Sequence, residues 1–325
     1  MIEILAQLAA NPESGVTNSP HWGWYVILYF FLGGLAAGLY FIATLLQLVG
    51  DPRDRPAIQL GYLLAFPLVI ICGVILIVDL GQPQRFWHML IQSHRFPLPM
   101  FKGWSPISVG SWVLSIFGFF AFISFVGVMI ETGRLRRPLL VRLDRWARER
   151  PRPIAVLWGI IGAFFGFFLA GYTGVLLIGT SVPLWHNAHL LGGLFLISAA
   201  STSYALLMLL LMRRGETHTH VTVRKLERAD RMAIIFELIL LGVMLVLLGS
   251  VARPLITGGF GVVFWGGVVI VGLIVPLIVH RIRREGLTPE RRAMIAAACV
   301  LIGGLLLRFV VIMSPQYPET PLWYF

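Results

Sequence analysis

The sequence predicts an all-α integral membrane fold of eight transmembrane helices, and three observations carry that prediction. Hydrophobic residues fill 58% of the 325 positions and charged residues only 13%, whereas a soluble domain carries about a quarter charged. The mean hydropathy is +0.83. The apolar residues are gathered into eight runs, each near the roughly 20 residues that cross a bilayer as a helix. None shows the strict alternation of a barrel, and isolated strands cannot satisfy their backbone groups in lipid.

The first run covers 22–49 and follows a segment, 1–21, that holds Glu3 and Glu13 but no Lys or Arg. That segment lacks the positive region of a cleaved signal peptide, so the first span is expected to be retained. The second run, 58–79, closes on Asp79, and the longest connection on its side follows at 80–105. The third is 106–130 and the fourth 154–180. The fifth, 186–212, opens with His186 and His189. The sixth is 232–251, with Glu237 a few residues inside it, and the seventh is 258–280. The eighth, 293–313, carries Arg308 within it, and 314–325 forms a tail. The expected organisation is therefore an outer segment 1–21, an eight-helix membrane domain 22–313 and an outer tail 314–325.

Charge placement predicts the orientation. Arg53 and Arg55 follow the first run, eight arginines from Arg134 to Arg152 follow the third, six basic residues from Arg213 to Arg231 follow the fifth, and five from Arg281 to Arg292 follow the seventh. The opposite side has only Arg85, Arg95, Lys102 and Arg253. Basic loops stay in the cytoplasm, so both termini are expected outside. The net charge of +11 is mostly this asymmetry, which removes the main argument for nucleic-acid binding and leaves attraction to anionic lipid. An echo between Asn18-Ser-Pro-His21-Trp22 and Trp185-His186-Asn187-Ala-His189, each leading into a Gly-Gly helix, suggests two four-helix bundles side by side. The tryptophans near helix ends, Trp22, Trp24, Trp104, Trp185, Trp265 and Trp323, read as an interfacial belt, and the Gly and Ala clusters as close helix packing.

Polar groups inside or beside lipid are expensive and so carry the functional signal. Asn18 and His21 precede the first helix, Asp79 closes the second, and Tyr172 lies roughly 12 Å before the end of the fourth at 1.5 Å per residue. With His186 and His189 they gather near the outer boundary. A quinone ring offers two carbonyl oxygens that need donors, and a quinol must lose two protons as its electrons leave. Histidine suits the proton step, and Tyr or Asn can hold an oxygen without ionising. A pair of histidines facing each other at membrane depth is missing, so haem is not expected. Cys72 and Cys299 sit singly in apolar runs, with no CxxC, so no metal is expected in this chain. Glu237 and Arg308 lie deeper and read either as the two ends of a proton path or as structural partners. The connection 80–105 mixes Arg85, Arg95 and Lys102 with Trp87 and phenylalanines, a composition suited to docking a protein. The rival class is a secondary transporter, against which stands the gathering of polar groups near one face rather than the midplane.

At these residues the sequence resembles the NrfD-like membrane subunits of polysulfide reductase type. The matching stretches are WGWYVILYFFLGGLAAGLY from Trp22, DLGQPQRFWHML from Asp79, GWSPISVGSWVL from Gly103, LAGYTGVLL from Leu169, WHNAHLLGGLFLISA from Trp185, the helix of Glu237 and LIGGLLLRF ending at Phe309. They run in order over nearly the whole chain. The resemblance implies a quinol-binding anchor in a bacterial or archaeal cytoplasmic membrane, with menaquinone the first candidate and ubiquinone the second. Its implied partners are a four-cluster ferredoxin-like iron–sulfur subunit and a molybdopterin catalytic subunit. In that family the head group is held by an Asn and a His before the first helix and by a Tyr in the fourth. Asn18, His21 and Tyr172 fit those positions, with Asp79 or His189 relaying protons outward, and the loop after Asp79 would face the iron–sulfur partner.

Overall fold

Trp22 and Gly23 lead in extended backbone into the first of eight long helices. The computed structural model describes residues 22–92, 96–135, 152–214, 219–281 and 288–317. Asn18, His21, Arg95 and Trp323 therefore lie outside the described residues. The long helices are α1 (Trp24–Val49), α2 (Arg55–Asp79), α3 (Pro106–Glu131), α4 (Arg152–Ile178), α5 (Leu191–Arg214) and α6 (Thr219–Leu248). Next comes α7, a continuous rod made of Gly258–Val262, a π-helical stretch Val263–Ile274 and Val275–Arg281, and last is α8 (Pro289–Met313). All eight are long and apolar enough to cross a membrane, which makes this a multi-pass membrane protein. The described residues contain no strand, only one isolated antiparallel bridge between Ile91 and Pro99.

Two helix starts differ from the sequence reading. Helix α6 begins at Thr219 rather than near 232. Hydropathy alone misses its first three turns because they are charged. What holds them helical is a tertiary clasp: the Lys225 ammonium reaches Asp51 and Asp54, each at 2.8 Å, and the Thr222 hydroxyl donates to Asp54 Oδ1 at 2.7 Å. Asp54 is fully buried and also accepts the backbone N–H of Asp51, in a reciprocal cap at the start of the Pro52–Asp54 turn. Glu237 consequently lies well inside α6, not near its beginning. Helix α5 begins at Leu191, after a separate short helix, Pro183–Asn187. His186 belongs to that short helix and His189 to the turn behind it, so His189 is outside the span that the hydropathy assigned to it.

Helix α1 is the hub: it packs against α2, α4, α5 and α8. Contacts between α2 and α3 and between α3 and α4 close one ring with α1, while α5 packs on α6 and α8, and α7 on α8. With no water to expel from between lipid-embedded helices, these contacts rest on close approach of backbones. A Cβ on Gly38 of α1 would strike Ser203 and the Ala199 carbonyl of α5, and one on Gly272 of α7 would stand 2.6 Å from Gly303 Cα of α8. The Ser203 hydroxyl donates to the Leu35 carbonyl at 3.3 Å, tying α5 to α1 at the same seam.

The tryptophans divide. Trp24, Trp104 and Trp265 are exposed, as an interfacial belt requires. Trp185 is not: it is fully buried and donates from Nε1 to the Val311 carbonyl of α8 at 2.7 Å. Trp22 stacks on Trp185 with centroids 5.3 Å apart and rings 18° from parallel. Buried stacking of two large rings against a satisfied indole N–H outweighs an interfacial position for this pair.

Candidate functional site

The helix ends where α1 begins and α8 finishes hold most of the polar residues singled out by sequence, and the contacts there are specific. On α3, Ser105 caps the helix, accepting from the Ser108 N–H at 3.4 Å, and Pro106 occupies its first turn, where a missing N–H costs nothing. The Pro106 carbonyl accepts the hydroxyl hydrogen of Tyr172 from α4. Tyr172 can come so close because position 110 is glycine: a Cβ there would collide with the phenol. Its ring stacks on Phe168 at 6.2 Å, and only 6% of the residue is exposed. It lies about six residues, roughly 9 Å, below the end of α4.

Tyr29, on α1, is a second buried phenol at this level, 4% exposed and near enough to Tyr172 for the two to interact electrostatically. Its carbonyl accepts from the Cys72 thiol of α2 at 3.9 Å. The sequence reading passed over Tyr29, although a tyrosine little more than a turn inside an apolar helix was a signal. Asp79 ends α2 exposed, its carboxylate making no hydrogen bond or ion pair among the described residues. His186 is exposed, its Nδ1 3.2 Å from the Ile178 carbonyl, and His189 is exposed in its turn. The structure thus brings Tyr172, Tyr29, Cys72 and the start of α3 together, while Asp79, His186 and His189 stand on the surface at the same end.

Deeper lies a second polar group. Arg308, 1% exposed, donates from one terminal nitrogen to Ser198 Oγ at 2.6 Å and to the Gly304 carbonyl at 2.8 Å, and from the other to the Phe195 carbonyl at 3.2 Å. Its guanidinium also lies over the Phe195 ring, 5.1 Å from the centroid. The Ser198 hydroxyl faces the buried Glu237 carboxyl, which feels the Arg308 charge. Two turns back along α6, Asp230 is fully buried and accepts from the Ser201 hydroxyl at 2.6 Å. Glu237, Asp230, Ser198, Ser201 and Arg308 therefore form one polar seam where α5, α6 and α8 meet. Sequence reasoning found Glu237 and Arg308 but not Asp230, which fell in what hydropathy read as a loop. Its spacing of seven from Glu237 puts both carboxyls on one helix face.

The connection between α2 and α3 is built on a turn, Pro83–Met89, and pinned back by Met100 N–H to the Leu90 carbonyl at 2.8 Å and by Trp112 Nε1 to the Met100 carbonyl at 2.9 Å. Arg85 and Lys102 are exposed, as are Trp87, Phe86, Phe101 and Trp104.

A quinol head needs acceptors for its hydroxyl hydrogens and an apolar bed for its ring. In chemistry, Tyr172 and Phe168 match those two needs. Tyr172 commits its own hydrogen to Pro106, so its oxygen is left as an acceptor, and Phe168 stacks beside it. Among the described residues no cluster of three His, Cys, Asp or Glu could hold a metal ion.

Fold and site together define a multi-pass helical membrane protein with buried polar groups near one end and a separate, deeper polar seam on α5, α6 and α8. The protein belongs to the NrfD polysulphide reductase family, whose model, described as "Polysulphide reductase, NrfD", matches residues 12–318. It is 30% identical over 322 residues to the C polypeptide of the polysulfide reductase of Wolinella succinogenes, covering 92% of this sequence and 95% of that one. It is 25% identical to the NrfD homolog of Haemophilus influenzae, covering 91% and 94%. A shorter match of 28% identity to the C polypeptide of the selenate reductase of Mesobacillus selenatarsenatis covers 24% of this sequence and 18% of that protein.

Proposed function

We propose that this protein is the membrane subunit that exchanges electrons between a quinol, menaquinol before ubiquinol, and an iron–sulfur subunit serving a molybdopterin reductase. In this reading it crosses the cytoplasmic membrane as two four-helix halves, α1–α4 and α5–α8, with both termini outside. The relatives named as components of polysulfide and selenate reductases support the partnership. The observation that carries the site is the Tyr172 phenol, buried at the end where α1 begins, with its hydrogen already given to Pro106.

The bound quinol supplies two electrons and two protons. Tyr172 accepts a hydroxyl hydrogen bond from the ring, Asn18 holds the opposite oxygen, and His21 takes a proton, which an imidazole with an ordinary pKa of about 6.5 can do and later release. Asp79 and His189, exposed at the same end, pass protons to the outer water. The surface of Arg85, Trp87, Arg95 and Lys102 receives the iron–sulfur partner, keeping a cluster close to the ring. The seam of Asp230, Glu237 and Arg308, on α5, α6 and α8, gives a second route for protons.

The test is quinol oxidation by the assembled complex. His21→Ala should lower it by at least about 10²-fold, the usual contribution of a positioned acid–base group. Tyr172→Phe, which deletes the hydrogen bond from the ring together with that to Pro106, should lower it by about tenfold. Both variants should still assemble. Normal turnover in both would reject the assignment.

A further inference from the structure

We propose that the isoprenoid tail of the quinol runs around the lipid-facing side of α4, from Tyr172 into an apolar crevice between α4, α5 and α1, a subsite that rests on the quinol reading above. The crevice holds about 290 Å³, about twice the roughly 150 Å³ of an apolar cavity that takes up a benzene molecule. Its floor is Ala37 and Gly38 of α1, and its walls are Gly166 and Ala170 of α4 with Ala199 and Ala200 of α5. None of these carries a polar side chain, so the crevice suits hydrocarbon and not water. Between the crevice and the end of α4 the two walls cross tightly: a Cβ on Gly174 would stand 2.5 Å from the Leu191 carbonyl oxygen, and one on Gly192 3.1 Å from that of Gly171. Entry is therefore from the side, over the half-exposed ring of Phe167.

A row of aromatic rings leads there from Tyr172. At 3.6 residues per turn, Phe168, Phe164 and Phe167 stand about 40°, 80° and 140° around α4 from Tyr172, all in one direction, and Ala170 and Gly166 follow at about 200° and 240°. The three phenylalanines are 41%, 62% and 50% exposed in that order, whereas Ala170 and Gly166 are buried. The other way around the helix passes Leu169, which is fully buried. Phe168 begins the row, since its ring stacks on Tyr172. Phe167 ends it as a wall of the crevice, edge-on to Phe41 of α1 with centroids 6.2 Å apart. The descent is short, because Gly166 lies only about 9 Å back along the helix from Tyr172. Acyl chains reach the same lipid face, but a tail tethered to a head group beside Tyr172 is held over it at a high local concentration.

The experiment uses the membrane-embedded complex and two quinols that share a ring, one with a single isoprene unit and one with a full-length tail. Ala200→Phe fills the crevice from α5, and Phe164→Ala removes the most exposed ring of the row. Each should raise KM for the long-tailed quinol relative to KM for the one-unit quinol, by about tenfold for Ala200→Phe, the worth of one buried apolar side chain. Each should also lower the amount of quinone that stays with the purified complex. In the parent, a long-tailed quinol with a diazirine in its tail should label the peptides of residues 164–170 and 196–200. Equal shifts for both quinols, no shift, or tail label confined to other helices would overturn the subsite. So would labelling of the crevice by a photoactivatable phospholipid that the long-tailed quinol does not displace. Failure of the quinol reading is a separate result: the parent complex would then neither oxidise nor retain quinol of either length.

Discussion

At the scale of single residues, the account turns on a few buried polar atoms whose partners are unambiguous. Tyr172 depends on Gly110 for its place, so Gly110→Ala should displace the phenol and weaken quinol binding about as much as Tyr172→Phe does, while α3 stays helical. Equilibrium quinol titration of the two variants, with circular dichroism alongside, measures this; full affinity in Gly110→Ala would contradict the arrangement. Ser198 links the buried Arg308 to the buried Glu237, and removing one member of such a group leaves the others' polar atoms unpaired. Arg308→Met should therefore destabilise the protein by about 3 kcal/mol or more, and the double variant with Glu237→Gln should recover part of that loss. Loss of proton uptake in Glu237→Gln with an intact fold would support the seam as a route, and unchanged proton coupling would remove it. Tyr172, Glu237 and Arg308 were legible in the sequence because a polar residue in an apolar run stands out. Pro106 and Gly110 were not, because their importance lies in what they meet across the bundle.

At the scale of elements, hydropathy located all eight helices but not all their ends. It is a local property, whereas the start of α6 is decided by Asp51 and Asp54 from another part of the sequence. This clasp has a pH dependence whose sign follows from its charges. The Lys225 ammonium, with the Arg53 backbone N–H, holds the Asp51 carboxyl below its usual range. A depressed carboxylate contributes stability above its unfolded pKa and loses it as the pH falls through its folded value. The protection factor at the first turns of α6, exchange measured relative to the unfolded chain at the same pH, should therefore be high at neutral pH and fall in acid below about pH 4, and Asp51→Asn should weaken that dependence. The close crossing of α7 and α8 is equally specific. Gly272→Val would push a side chain into Gly303 and should separate the two helices, a change read by loss of a cysteine cross-link placed along that seam.

At the scale of the whole molecule, the central position of α1 joins the parts. One face of it carries Tyr29 toward Tyr172, another packs on α5 beside the polar seam, and the backbone of Trp22 ahead of it is held by Gln316 beyond the end of α8. A disturbance beside Tyr29 is therefore one helix away from α2, α4, α5 and α8. The docking reading belongs to this scale too. Reversing two exposed cations, Arg85→Glu with Lys102→Glu, should weaken association with the iron–sulfur subunit, and the parent association should be more salt-sensitive than that of the variant; equal affinity would move the interface elsewhere. The most direct measurement of the central claim is photo-crosslinking with an azido-quinone in native membranes, followed by peptide mapping. The account predicts label on the peptides that carry His21 and Tyr172, competed away by menaquinol. Label confined to other helices, or none that menaquinol displaces, would contradict it.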